Sequence, residues 1–278
     1  MHSTEIAYFK MNGCGNDFIL IDNREGVVSD DDLPELIRGV CRRRLSVGAD
    51  GLILIENDRR ADFKWRFYNS DGSRAEMCGN GARCAARFAL VNGIAPSEMT
   101  FETDAGPVHA LVESGSVKVK MPDPAELKLD RRLELERGTV TLSTVNTGVP
   151  HAVCILDQIE EIDVVGLGRE IRYHSDFAPS GTNANFIAVD GDNVIAVRTY
   201  ERGVEDETMA CGTGCIASAL VAAARMGMAS PLPVRTRSGN HLTIHFTPAA
   251  AGFEQIYLEG DARIVSSGKI WPEAWQPK

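Results

Sequence analysis

One short pattern occurs twice in this chain and sets the scale on which it folds. Met77-Cys78-Gly79-Asn80-Gly81 opens the alanine-rich run Ala82-Arg83-Cys84-Ala85-Ala86-Arg87-Phe88-Ala89-Leu90. Ala210-Cys211-Gly212-Thr213-Gly214 opens a second, Cys215-Ile216-Ala217-Ser218-Ala219-Leu220-Val221-Ala222-Ala223-Ala224. Both runs favour helix, being rich in Ala and Leu with no internal proline. Each is apolar on more than one face, as a helix enclosed by sheet would be. The two cysteines lie 133 positions apart in 278 residues, and an aromatic strand end precedes each: Phe67-Tyr68-Asn69 and Thr199-Tyr200-Glu201. This is an internal repeat on the scale of a domain. It predicts two similar halves, matching the soft prior of ~150 residues per domain.

The background is made of short strand-like runs. Residues 18–22, 52–56, 63–68, 117–120 and 193–200 fit, 241–246 alternates cleanly, and 255–258 continues the style. A further helix is expected over roughly Asp31 to Arg44, capped by Ser29 or Asp30, with Pro34 tolerated in its first turn. Gly93 is a suitable stop for the first alanine-rich helix. Pro122-Asp123-Pro124 reads as a hinge between halves.

Composition excludes several classes of function. With 29 basic against 39 acidic residues the net charge is −10, whereas nucleic-acid binding usually shows as a basic stripe. Nucleic acid is not an expected partner. Met1 to Lys10 has no apolar core and no small-residue cleavage site, so no signal peptide is expected. No run reaches the ~18 apolar residues that cross a bilayer. Seven cysteines, an odd number spread along the chain, do not read as a disulfide framework. The expectation is a soluble cytoplasmic protein with reduced thiols and no membrane partner.

A cysteine followed by Gly-x-Gly at a helix start has a definite chemistry. The helix dipole and the unsatisfied N–H groups of the first turn favour negative charge there, by ~0.3–1 kcal/mol and up to ~2 in partly buried sites. A thiol in that field ionises more readily. The glycines let a small anion such as a carboxylate approach the backbone N–H groups. Two such sites facing one ligand would suit a racemase. One thiolate removes the α-hydrogen on one face while the other thiol delivers a proton on the opposite face. Amide dipoles aimed at the carboxylate would stabilise the carbanion, so no cofactor is required. Lysines are scarce, seven in all with none between Lys128 and Lys269, which speaks against a Schiff-base cofactor.

At this point the residues resemble a known family, the diaminopimelate epimerases. Lys10-Met11-Asn12-Gly13-Cys14-Gly15-Asn16-Asp17-Phe18 is similar to that family's N-terminal motif. So are Asn69-Ser70-Asp71-Gly72-Ser73 leading into Met77 to Cys84, and Tyr200-Glu201-Arg202-Gly203 leading into Ala210 to Gly214. The matches keep their order from residue 8 to about 265.

The resemblance implies an α/β (α+β) fold of two pseudo-symmetric domains, 1–122 with 266–278 and 123–265. Each would be strand-rich and barrel-like around a central helix, with the active site in the cleft. It implies a homodimer that interconverts LL- and meso-diaminopimelate without a cofactor or metal, in lysine and cell-wall precursor synthesis. Cys78 and Cys211 would be the two acid/base thiols, tuned by His151 and Glu201. The amides of Gly79, Asn80, Gly212 and Thr213 would hold the reacting carboxylate. Asn16, Asn69, Asn183, Glu201 and Arg202 would recognise the rest of the substrate. One position departs from the pattern: Val149 stands where many members carry an Asn that touches the substrate.

Blander readings stand beside these. Asn16, Asn69 and Asn183 could be turn formers, and Glu201-Arg202 a surface ion pair of little energetic worth. Cys84 and Cys215 are expected in the core, with Cys14, Cys41 and Cys154 inert. The C-x5-C and C-x3-C spacings fit no usual zinc knuckle. The same chemistry could act on proline, hydroxyproline or histidine. A thiol redox protein using Cys78 and Cys211, or a non-catalytic amino-acid binder, would be a different class.

Overall fold

In a computed structural model the chain is described over residues 5–250 and 252–276. The first four residues of the stretch read above as lacking a signal peptide lie outside these. In chain order the first elements are β1 (Ile6–Gly13), β2 (Asn16–Asp22), α1 (Leu33–Val40), β3 (Gly51–Glu56), β4 (Phe63–Asn69), β5 (Arg74–Ala75), α2 (Gly79–Val91), β6 (Glu98–Thr103), β7 (Gly106–Glu113) and β8 (Ser116–Lys120). There follow β9 (Ala125–Leu135), β10 (Gly138–Asn146), β11 (Pro150–Ile155), α3 (Val164–Tyr173), β12 (Asn183–Gly191), β13 (Val194–Glu201), β14 (Asp206–Thr208), α4 (Gly212–Met226), β15 (Leu232–Arg235), β16 (His241–Ala249), β17 (Gly252–Asp261) and β18 (Arg263–Ile270). Two compact units result, Met1–Val119 with Gly260–Lys278, and Lys120–Glu259.

The repeat extends to strand pairing. In the first unit the ladder runs β18, β1, β2, β3, β4, β6, β7, β8. In the second it runs β9, β10, β11, β12, β13, β15, β16, β17. The β2–β3 and β4–β6 pairs are parallel, as are β11–β12 and β13–β15, and the other neighbours in both ladders are antiparallel. The parallel pairs are the ones bridged by helices, because a parallel return needs a long crossover. β5 adds to β4 just as β14 adds to β13. The first unit takes its leading strand, β18, from the far end of the chain.

Alternation along the strands explains the layering of the first unit. Phe18 and Leu20 of β2, with Ile53 and Ile55 of β3, join α2 in one core. Their neighbours Ile19, Ile21, Leu52 and Leu54 pack with α1 in another. A strand covered on both faces reads as a continuous apolar run, as these two do. Strands from β1 to β8 contribute to the core around α2, so the sheet wraps that helix. In the second unit α4 is buried without interruption from Gly214 to Ala222. There α3 lies on the other face, against Ala152, Ala184, Phe186 and Tyr200.

The helix expected over 31–44 is shorter and capped differently. Asp32 is the N-cap, and the hydroxyl of Ser29 bonds Asp32 instead of capping. The helix ends early because the chain turns away: Arg44 is left-handed at φ 70°, and Gly48 N–H returns to the Val40 carbonyl. Arg43, freed from the helix, pairs with Asp17 and Asp50. Among the described residues no helix is long and apolar enough to cross a membrane.

Candidate active site

Each unit presents its cysteine in the same way. Beyond a strand and a short hairpin partner the chain extends, and the cysteine is the N-cap of the buried helix. Cys78 has φ −152° and ψ 116°, and Cys211 has φ −115° and ψ 109°. Neither side chain caps its own helix. The first-turn amides of Gly79 and Asn80, and of Gly212 and Thr213, have no partner within their helices, as at any helix N-terminus. Gly81 in the third position lies flush on the sheet: a methyl group there would meet Ile53 at 3.3 Å and Trp65 at 3.4 Å.

In the first unit, polar side chains line up behind the Cys78 helix. Asn16 accepts a hydrogen bond from Asn80 Nδ2 at 2.6 Å and donates to Asp50 at 3.0 Å. Asn80 in turn accepts from the buried Arg83 at 2.8 Å. Asn69 is not part of this group; it bonds Ser73 Oγ at 3.0 Å within its own turn.

The second unit is built around Cys211. Its sulfur lies 3.5 Å from Thr213 Oγ1, and its thiol is hydrogen-bonded to the Glu201 carboxyl. Burial pushes the Glu201 carboxyl up, opposed by the bond from Cys211. Glu201 and Arg202 form no ion pair among the described residues. Arg202 instead donates to the Ser180 carbonyl at 3.1 Å. Asn183 accepts from the Arg202 backbone at 2.8 Å and donates to the Pro150 carbonyl at 3.1 Å, tying the two substrate-loop candidates together. At the departing position, the Val149 carbonyl accepts from Thr147 N–H.

His151 is buried and its Nδ1 faces Asn185 Nδ2 at 3.1 Å. Asn185 Nδ2 also donates to the Ala152 carbonyl, while its oxygen accepts from Thr199. The nitrogen can only donate, so Nδ1 accepts and the neutral ring carries its proton on Nε2. That Nε2 is buried without a hydrogen-bond partner among the described residues. Burial holds the imidazole pKa down to about 3, aided by the Arg202 charge. Asn185, absent from the sequence-based candidates, is the residue that orients this ring. Its only sequence signal was its place two residues after Asn183 on one strand.

The remaining cysteines separate from these two. Cys84 belongs to the core around α2, and burial pushes Cys41, Cys84 and Cys154 up to about 12, out of range for proton transfer near neutrality. Among the described residues no cluster of His, Cys, Asp and Glu is arranged to hold a metal ion.

Comparison with known proteins places this geometry in context. A family model described as diaminopimelate epimerase matches residues 8–127 and 143–265. A diaminopimelate epimerase of Aquifex aeolicus is 43% identical, over 96% of this chain and 99% of its own. That of Archaeoglobus fulgidus is 41% identical over 95% of each. Among solved structures, a Bacillus anthracis phenazine biosynthesis protein of the PhzF family aligns with a TM-score of 0.69 at 15% identity, covering 96% of this chain and 99% of that one. A hydroxyproline epimerase from Agrobacterium vitis, with bound trans-4-hydroxy-L-proline, aligns with a TM-score of 0.67 at 19% identity, covering 97% and 93%. At such identities the two structures speak for the shared fold alone.

Proposed function

The chain belongs to the diaminopimelate epimerase family, and from that premise we propose that Cys78 and Cys211 are the two thiols between which it moves the α-proton of diaminopimelate. It is an isomerase that interconverts the LL and meso forms, a step in lysine synthesis. The observation that carries the assignment is the matched pair of cysteines, each the N-cap of its unit's buried helix. Inverting one α-carbon takes a base on one face and an acid on the other, and a pair of thiols can exchange those roles between directions.

The substrate's reacting carboxylate would lie on the open amides of Gly79, Asn80, Gly212 and Thr213. Negative charge that spreads into it as the α-proton leaves is stabilised there. The distal amino-acid head carries one carboxylate and one ammonium. Arg202 suits the first and the oxygens of Asn16, Asn69, Asn183 and Glu201 the second. Glu201 beside Cys211 favours the protonated thiol, because two adjacent negative charges repel. His151 offers a neutral N–H donor whatever the pH near neutrality. No cofactor is needed for this chemistry. The thiols work only when reduced, which fits a cytoplasmic location. We also propose a homodimer; exposed Val265 and Trp271 supply apolar surface for it.

Incubation with LL-diaminopimelate in deuterated water, with no added cofactor, should wash deuterium into one α-position. Cys78→Ala and Cys211→Ala should each abolish it. Exchange that persists in both variants would sink the assignment. Proline and hydroxyproline serve as comparison substrates and should not exchange.

A further inference from the structure

Among the described residues Arg83 is the largest fully buried side chain. Its guanidinium folds back along α2, donating to the Gly79 carbonyl at 3.3 Å, to the Asp261 carbonyl at 3.2 Å and to Asn80 Oδ1 at 2.8 Å. None of these three acceptors is a carboxylate. Burying a charge that way is costly, and helix packing alone would be served by an apolar residue. In α4 the same step past the cysteine is Ile216, and Thr213 takes the place of Asn80. The arrangement therefore belongs to one half of the repeat.

What Arg83 does is read along the hydrogen bonds. Asn80 Nδ2 donates to Asn16 Oδ1 at 2.6 Å, Asn16 Nδ2 donates to Asp50 Oδ2 at 3.0 Å, and Asp50 Oδ1 takes Arg43 at 2.8 Å. A carboxamide has two orientations of nearly equal shape, chosen by its partners. This chain begins at a group that only donates and ends at a carboxylate that only accepts. Arg83 demands the oxygen of Asn80, so the Asn80 nitrogen turns to Asn16. Asn16 must then show its oxygen to Asn80 and its nitrogen to Asp50. After these bonds Asn16 keeps one N–H and one oxygen lone pair, both of fixed direction.

We propose that Arg83 and Asp50 are positioning residues for the epimerisation, acting through Asn80 and Asn16 to fix the donor and acceptor that Asn16 offers the substrate. The proposal rests on the substrate-binding reading of Asn16. Neither Arg83 nor Asp50 touches the reacting atoms, so their loss weakens binding of the correctly oriented substrate more than it slows the chemical step.

The test measures KM and kcat for diaminopimelate in Arg83→Gln, Arg83→Lys, Asp50→Ala, Asn16→Ala and the Arg83→Gln/Asn16→Ala pair. Gln can turn either atom to Asn80, whereas Lys can only donate. Arg83→Gln should raise KM roughly tenfold with kcat little changed, the size expected for one lost or misdirected polar contact. Arg83→Lys should recover most of that rise. Adding Arg83→Gln to Asn16→Ala should raise KM no further, because the orientation has nothing left to act on. If Arg83→Gln does not fold, Asp50→Ala, at the half-exposed end of the chain, carries the test: it too should raise KM and leave kcat. The proposal is overturned if Asn16→Ala raises KM while Arg83→Gln and Asp50→Ala do not, if the effects of Arg83 and Asn16 multiply independently, or if Lys recovers nothing. Should Asn16→Ala itself leave KM unchanged, the substrate reading of Asn16 falls first and the positioning role with it.

Discussion

The Oδ1 of Asn185 occupies the space that any side chain on Gly214 would need. The same added atom would lie 3.2 Å from Cys211 Sγ. Gly214 therefore lets the first turn of α4 close onto the polar network that orients His151. Gly214→Ala should push Asn185 aside and break its bonds to His151 and Thr199. We expect a loss of stability of about 1–3 kcal/mol and a fall in kcat/KM of at least about 100-fold. Gly81→Ala, whose methyl would find carbon atoms of Ile53, Trp65 and Cys78 as its nearest neighbours, should cost less on both counts. Thermal unfolding with steady-state kinetics on the two variants checks the contrast; equal losses would remove the special role of Gly214.

His151 makes stability depend on acid. Its folded pKa of about 3 lies below the ordinary 6.5 because burial, and then the Arg202 charge, disfavour the charged ring. The unfolded chain thus binds a proton that the folded chain refuses between those two values. Stability from this residue is complete above pH 6.5, declines as the pH falls towards 3, and is level below that. The full effect is on the order of 3–5 kcal/mol. In denaturant titrations at a series of pH values, His151→Asn should flatten this slope. An unchanged slope would mean that the ring is not held neutral.

The repeat and both cysteine-capped helices were legible because Cys-Gly-x-Gly followed by an alanine-rich run is a pattern no tertiary context had to complete. Strands β2 and β3 were equally plain, as continuous apolar runs buried on both faces. Helix α3 was not. Its Gly166, Gly168 and paired valines Val164 and Val165 have weak helix propensity, and it is packing that selects it. Gly168 lies directly under Tyr200, where a larger residue would overlap the ring. The leading strand of the first unit was illegible for a different reason: β18 follows the whole second unit in sequence, and only pairing with β1 shows where it belongs. In the site, residue types announced the thiols and the helix amides. Two further contacts, Asn185 with His151 across neighbouring strands and Asn80 with Asn16 between helix and strand, could not be read from spacing.

Glu201 gives the second half-site its own electrostatics. The carboxyl is pushed up by burial, yet bonded to Cys211. Replacing it with Gln keeps the shape and removes the charge. Glu201→Gln should lower kcat/KM by roughly 100-fold, in the range for loss of a positioned acid/base partner. It should also speed alkylation of Cys211 by iodoacetamide, because the thiolate then forms without a negative neighbour. Peptide mapping after a timed exposure reads Cys211 against Cys78 in one sample. Slower modification of Cys211 in the variant would show that Glu201 instead helps to deprotonate it.

A second acid-sensitive element lies in the first unit, around Asp17. Burial alone would raise its pKa, but hydrogen bonds from Arg43 and Lys10, backed by their charges, outweigh it and hold the carboxyl at about 2. The Lys10 ammonium lies 2.8 Å from one carboxylate oxygen and an Arg43 nitrogen 2.6 Å from the other. Because the folded pKa is below the ordinary 3.8, this contribution is complete above 3.8 and is lost as the pH falls through about 2. It amounts to roughly 2 kcal/mol. Asp17→Asn should remove it, leaving a lower stability at neutral pH that changes less between pH 4 and pH 2 than in the parent. The buried end of the pair sets the sign of a second comparison. Lys10 is almost wholly enclosed, so Asp17→Asn strands a buried ammonium and should destabilise more than Arg43→Gln, whose guanidinium is over half exposed. Urea midpoints at neutral pH for the two variants decide it; a larger loss from Arg43→Gln would contradict the account.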